Sequence, residues 1–315
     1  MFKALVLVRN LSCPERLDFG EFTVDRVGPR FKELREVFLS GDVNLDDWIL
    51  EKSYEQSSVG PPGSRNDIED ILLLLRLYKA GDISFIKQAI IQPNGMASVQ
   101  LSNRAMNDLN SYSSPLLRFE ARSEDCELWR GFADAVRKSQ SWSSDWFTAA
   151  RRFFLTGGAK PFKPESDDVD RILDYATALE STLVPEKDYV TRRLTRRAAA
   201  MIAPDIPAEL EVIVKFVRRF YEIRSRIAHG SSLGDENKKW LLENCRQIEL
   251  RVRNVLVTAV QKLPPGEEDR RAVLAGLYDP SDEDRGSFAF EKFREIKTAE
   301  VRKAIAAKIA QLAGE

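Results

Sequence analysis

From residue 145 onward the chain is patterned for helices alone. Apolar residues recur every three or four positions through 145–155, 167–183, 187–202, 207–229 and 235–263, and the breaks between these stretches are short and built from Pro, Gly or Asp. Consecutive amphipathic segments with such short connections predict neighbouring helices in a compact bundle. Pro264-Pro265-Gly266 ends the last long stretch, and two shorter helical stretches, 267–277 and 298–312, are expected beyond it.

The first part of the chain has a different texture. Apolar or alternating runs at 3–8, 21–27, 48–52, 97–101 and 116–121 predict strands, and helical spacing marks 31–39, 67–79 and 124–138. Gly60-Pro61-Pro62-Gly63-Ser64 interrupts them. No Gly-Lys-Ser/Thr follows this run and no strand leads into it, so it reads as a surface loop and not as a phosphate cradle. The predicted fold is α+β, with a mixed α/β domain over 1–140, a helical bundle over 144–263 and a short helical tail over 264–315. A chain of 315 residues suits two domains, each able to bury its own core.

Composition excludes several classes of function. The three cysteines, Cys13, Cys126 and Cys245, lie far apart without a pairing pattern, which fits a reducing cytoplasm better than a disulfide framework. One histidine and no Cys-x-x-Cys leave few ligands for zinc, so no structural metal or other cofactor is expected. No apolar run approaches the roughly 20 residues that span a bilayer, and no membrane partner is expected. A net charge of -1 gives no global attraction for nucleic acid, so any RNA contact must be local. One basic cluster is present, Lys187, Arg192, Arg193, Arg196 and Arg197, interrupted by Asp188. It reads either as a solvated helix face or as an RNA groove through Arg192, Arg193 and Arg196.

The stretch 207–229 carries the residues best suited to chemistry. At about 100° per residue, Lys215, Arg218, Arg219, Glu222 and Arg226 fall on one side. Phe216, Val217, Phe220, Tyr221, Ile223, Ile227 and Ala228 fill the other, with Arg224 near the middle of the apolar arc. A guanidinium there must be paired with an acid, a phosphate or an open interface. Glu180 on the 167–183 helix is the expected acid, and the alternative is a cleft in which Arg224 binds phosphate. His229 stands in the last turn before Gly230, at the negative end of the helix dipole, where an imidazole can serve as acid or base or simply cap carbonyls. Ser225 lies one turn earlier, within reach of the ring.

Tyr221-Glu222-Ile223-Arg224-Ser225-Arg226-Ile227-Ala228-His229-Gly230 resembles the Arg-x(4 to 6)-His motif of HEPN domains. Ala178-Leu179-Glu180-Ser181-Thr182-Leu183 and Thr195-Arg196-Arg197-Ala198-Ala199 stand upstream in the order and spacing of the Apea-like HEPN branch. The resemblance covers residues 144–263. It implies a homodimeric helical bundle with two motif copies in a shared cleft, and metal-independent RNA cleavage. Arg224 would hold the scissile phosphate and His229 would act as general acid or base. Ser225 takes the motif's polar place, with Tyr221, Glu180 and Arg197 in support. The 2'-hydroxyl would be the internal nucleophile, so DNA should resist. Such domains occur in bacterial toxin–antitoxin modules and abortive anti-phage defence, where a neutralising or activating protein or a phage-derived trigger would be a partner. Other members are catalytically silent dimerisation or nucleotide-binding scaffolds, and a purely structural adaptor with Arg224 in a core ion pair is the plainest alternative. The domain over 1–140 is expected to sense or regulate.

Overall fold

The computed structural model describes residues 1–38, 43, 47–55, 65–79, 81, 83–101, 119–160, 162, 164, 169–203 and 207–278. The fold is α+β. Its strands are β1 (Phe2–Arg9), β2 (Leu11–Ser12), β3 (Leu17–Asp18), β4 (Thr23–Arg26), β5 (Trp48–Tyr54), β6 (Ser84–Ile91), β7 (Ala97–Leu101) and β8 (Phe119–Glu120). Its helices are α1 (Phe31–Phe38), α2 (Arg65–Tyr78), α3 (Ser123–Arg137), α4 (Asp145–Ala159), α5 (Asp170–Leu183), α6 (Val190–Ile202), α7 (Pro207–Ala228), α8 (Asp235–Lys262) and α9 (Glu267–Leu277). Helix ends lie within four residues of those the spacing predicts. The loop read at 60–64 and the tail helix at 298–312 lie wholly outside the described residues.

The main sheet runs β3-β4-β5-β1-β6-β7 and every pairing in it is antiparallel; β2 and β8 form a separate parallel pair. The central strand explains the unbroken run Ala4-Leu5-Val6-Leu7-Val8. Ala4, Val6 and Val8 turn to the large core while Leu5 and Leu7 turn to a smaller one under Leu34 and Phe38 of α1, so both faces are buried and no polar alternation is needed.

One buried apolar cluster joins the two halves. It runs from Val6 and Ile71 through Trp129 to Phe154, Leu179 and Val252. The boundary at 140–144 is therefore a turn inside a continuous core. Ser139 and Ser141 donate to the carbonyls of Val260 and Leu263, and the Ser144 hydroxyl accepts from the Phe147 amide to start α4.

A buried polar knot also crosses this boundary. Arg76 of α2 is 1% exposed and donates to Phe154 O (3.1 Å) and to the Tyr175 hydroxyl (2.9 Å), with Glu249 of α8 at 3.6 Å. Glu249, fully buried, also accepts from the Gly81 amide at 3.2 Å. Gly158 is required here because a Cβ on it would lie 1.8 Å from Arg76 Nη1.

Candidate functional site

α7 stops as its sequence demands. Gly230 adopts φ +69°, its amide donates to Ile227 O (2.9 Å), and the Ser231 amide reaches back to Arg226 O (3.0 Å). This is a Schellman termination, which leaves His229 at the end of the last turn. His229 is exposed, and its amide donates to Ser225 O at 3.1 Å. The Ser225 hydroxyl makes no hydrogen bond to the ring, so the orienting contact expected between them is not formed.

Arg224 meets Glu180 of α5. Its Nη2 lies 2.9 Å from Glu180 Oε1 and donates to Oε2 at 3.3 Å, and Glu180 also accepts from the Tyr221 hydroxyl at 2.6 Å. The guanidinium carbon stands 5.3 Å from the centre of the Tyr221 ring, one turn earlier on the same helix. Burial, then the hydrogen bond to Glu180, push the Tyr221 phenol above its ordinary range, so it stays a neutral donor. Only Nη2 of the fork is engaged. Nε is enclosed without an acceptor, Nη1 has no partner among the described residues, and the side chain remains 25% exposed. Arg224 is thus held by an acid on one edge and open on the other.

The motif's two ends diverge. Five residues at about 100° each set Arg224 and His229 about 140° apart around α7. Arg224 is turned to α5 and His229 to solvent.

The α6 residues take a different place from the one a basic RNA groove would need. Arg197 is fully buried and donates to Glu186 through both Nη atoms (2.7 and 2.9 Å), to Leu183 O (2.8 Å) and to Tyr278 O (3.2 Å). It ties the α5–α6 connection to the end of α9, and its support for α7 is indirect. Burial raises the Glu186 carboxyl, but the hydrogen bonds and charge of Arg197, with Arg193, outweigh this and hold it below the usual carboxylate range. Arg193, 8% exposed, pairs with Glu186 at 2.9 Å and with Asp188 at 3.3 Å. Arg196 pairs with Glu211 at 2.7 Å. Arg192 is exposed. Of the three residues read as an RNA groove, Arg193 is an interior strut, Arg196 is tied to Glu211 of α7, and Arg192 alone is fully on the surface.

A second arginine shares the signature of Arg224 and was not singled out by the sequence reading. Arg251 of α8 stands among Ile248, Val252 and Val255 on its own helix, packs 4.6 Å from the Phe216 ring, and has its Nε enclosed without an acceptor. Burial, with no opposing acid, lowers its pKa. Trp240 tilts against the other side of this group, 5.2 Å from Phe216. An arginine inside an apolar stripe was the signal available in the sequence.

Among the described residues no helix is long and apolar enough to cross a membrane, and no group of three or more His, Cys, Asp or Glu side chains is arranged to hold a metal ion. Compared with known proteins, the chain matches no family model, no curated protein and no solved structure.

Proposed function

We propose that this protein is a metal-independent endoribonuclease of the HEPN type, active as a homodimer and regulated through its N-terminal half. The observation that carries the reading is the state of Arg224. It is oriented by Glu180 and Tyr221 yet keeps Nη1 and a quarter of its surface free for a phosphate, five residues before an exposed histidine. In the proposed step the 2'-hydroxyl of RNA loses its proton to water as its oxygen attacks the adjacent 3'-phosphorus, the P–O5' bond breaks, and His229, acting from its protonated form, delivers a proton to the departing oxygen. Arg224 stabilises the charge that gathers on the phosphoryl oxygens. Since Arg224 and His229 of one chain diverge by about 140°, the reading calls for a second copy to complete the cleft. A cytoplasmic role in anti-phage defence or a toxin–antitoxin-like pair, with a protein or phage-derived trigger, belongs to the same proposal.

A second reading is a silent HEPN scaffold. It is favoured by the charge match between Glu180 and Arg224, which gives the arginine a purely structural use. Cleavage of mixed single-stranded and structured RNA in EDTA, by wild type and by His229→Ala, separates the two. Fragments ending in a 2',3'-cyclic phosphate from wild type alone support the nuclease. Equal cleavage by both proteins removes His229 from the chemistry, and no cleavage by either favours the scaffold.

A further inference from the structure

The outer face of α7 carries a row of cations in which a single acid, Glu222, is interspersed. Lys215, Arg218, Glu222, Arg226 and His229 are all exposed and fall within about 80° of arc at 100° per residue. They extend about 21 Å along the axis at 1.5 Å per residue. Lys215, Arg218 and Arg226 form no ion pair or side-chain hydrogen bond with any described residue, and Glu222 is the one acid in the row. Arg219, at the margin, is half-buried and held by Glu236 at 2.9 Å.

The same margin carries the aromatic group. Phe216, one residue from Lys215, is half-buried between Trp240 at 5.2 Å and the Arg251 guanidinium at 4.6 Å. A guanidinium whose Nε is enclosed and whose charge meets no acid is incompletely satisfied by the protein, and an anion alongside would complete it. Cations in a row beside aromatic rings are the elements with which proteins hold single strands. The cations track phosphates, and the rings accept any base face.

We propose that this face of α7, from the Phe216–Trp240–Arg251 margin along Lys215, Arg218 and Arg226 to His229, is the binding track for single-stranded RNA. The inference rests on the ribonuclease reading for its choice of RNA and adds the path by which a strand reaches His229. It also replaces the α6 cluster as the nucleic-acid surface, since Arg193 and Arg197 are spent on Glu186.

The test is fluorescence anisotropy with a labelled 20-nucleotide poly(U) probe across a series of salt concentrations. It compares full-length wild type, Lys215→Ala/Arg218→Ala/Arg226→Ala, Arg251→Gln, and a control triple Arg16→Ala/Lys32→Ala/Arg35→Ala drawn from exposed cations of the sheet half. The triples and Arg251→Gln are built on a full-length His229→Ala parent, so that binding is read without cleavage, and the wild type is followed beside it for cleavage. The expected result is a loss of about tenfold or more for the α7 triple at low salt. The slope of log K against log salt should flatten by about 2, at roughly 0.7 per phosphate contact, and by about 0.7 for Arg251→Gln. An unchanged slope in the α7 triple, an equal loss in the control triple, or no binding by the His229→Ala parent overturns the track. Binding lost in the α7 triple, together with a wild type that cleaves nothing, leaves the track standing and removes the nuclease. His229-dependent cleavage with binding unchanged in the α7 triple does the reverse.

Discussion

α6 and α7 are both rich in basic residues, and the structure ties most of those on α6 to acids while leaving the outer row of α7 open. On α6, Arg193 and Arg197 point inward onto one carboxylate, Glu186, and Arg196 is bound by Glu211 of the neighbouring helix. On α7, Lys215, Arg218 and Arg226 face water with no ion-pair partner among the described residues. By density of basic residues α6, with four in 13, would rank ahead of α7, with five in 22. What decides their use is whether an acid stands where the side chain can reach it as the helix packs, because a buried guanidinium is tolerable only when its fork is filled. A basic cluster next to a Glu in a short interhelical connection is better read as a strut than as a surface.

The largest effect expected from this contrast is at Arg197. Arg197→Met leaves Glu186 without its bidentate partner and the carbonyls of Leu183 and Tyr278 without a donor. Urea unfolding should show a loss of about 3–5 kcal/mol. The pH dependence follows from Glu186. Its folded-state pKa lies below the ordinary value of 4.5, so its contribution is present above that value and is lost as pH falls through the folded pKa. Wild type should therefore lose stability on the acid side of the ordinary glutamate range, and Arg197→Met should show a smaller part of that loss. An equal acid dependence in both proteins would mean that Glu186 does not draw its shift from Arg197.

Next in size is Gly158→Ala. The added methyl would meet the Arg76 guanidinium, which sits against Phe154 (4.5 Å) and cannot swing into solvent without opening the core between the sheet half and the helices. Overpacking of this kind costs about 1–3 kcal/mol. A neutral result would show that the Arg76–Glu249 knot has slack.

Much of this was legible in the sequence. The periods of apolar residues gave the helices, because each buries one face and needs only a 3.6-residue repeat to declare it. The run at 3–8 declared the strand β1, and the structure added that both of its faces are buried. β6 was not legible. Lys87 and Gln88, 5% and 1% exposed, sit in the middle of Ser84–Ile91 and break any pattern that a sequence alone would show. The two-residue strands β2 and β3 exist only through their partners. At the candidate site, Arg224 was visible as a charge in an apolar arc, and Glu180 as an acid one helix away. The burial of Arg193 and Arg197 was not, because which face of α6 turns inward is fixed by α5, α7, α8 and α9 together.

A smaller effect is expected at Tyr221. Tyr221→Phe removes one donor from Glu180 in a partly solvated setting, and a loss of about 1 kcal/mol is expected from urea unfolding. Glu180 would then answer to Arg224 alone, so Tyr221→Phe and Arg224→Met should be non-additive in a double-mutant cycle. Additive losses would separate the tyrosine from the ion pair and leave it a packing residue.

The smallest effects belong to the exposed face of α7, and their order is itself informative. Surface substitutions away from buried contacts stay within about 0.5 kcal/mol, so Lys215→Ala, Arg218→Ala and Arg226→Ala should each unfold close to wild type. Arg226 stands in the last turn, where a cation faces the partial negative charge of the carbonyl end, and its removal should cost a few tenths of a kcal/mol at low salt. Lys215 and Arg218, three apart and of like charge, repel across one turn, so removing either should be neutral or slightly stabilising. Added salt should erase both differences, since these groups are fully solvated. If instead any of the three costs as much as Tyr221→Phe, that side chain has a protein partner in solution, and the opposition between a packed α6 and an open α7 no longer holds at that position.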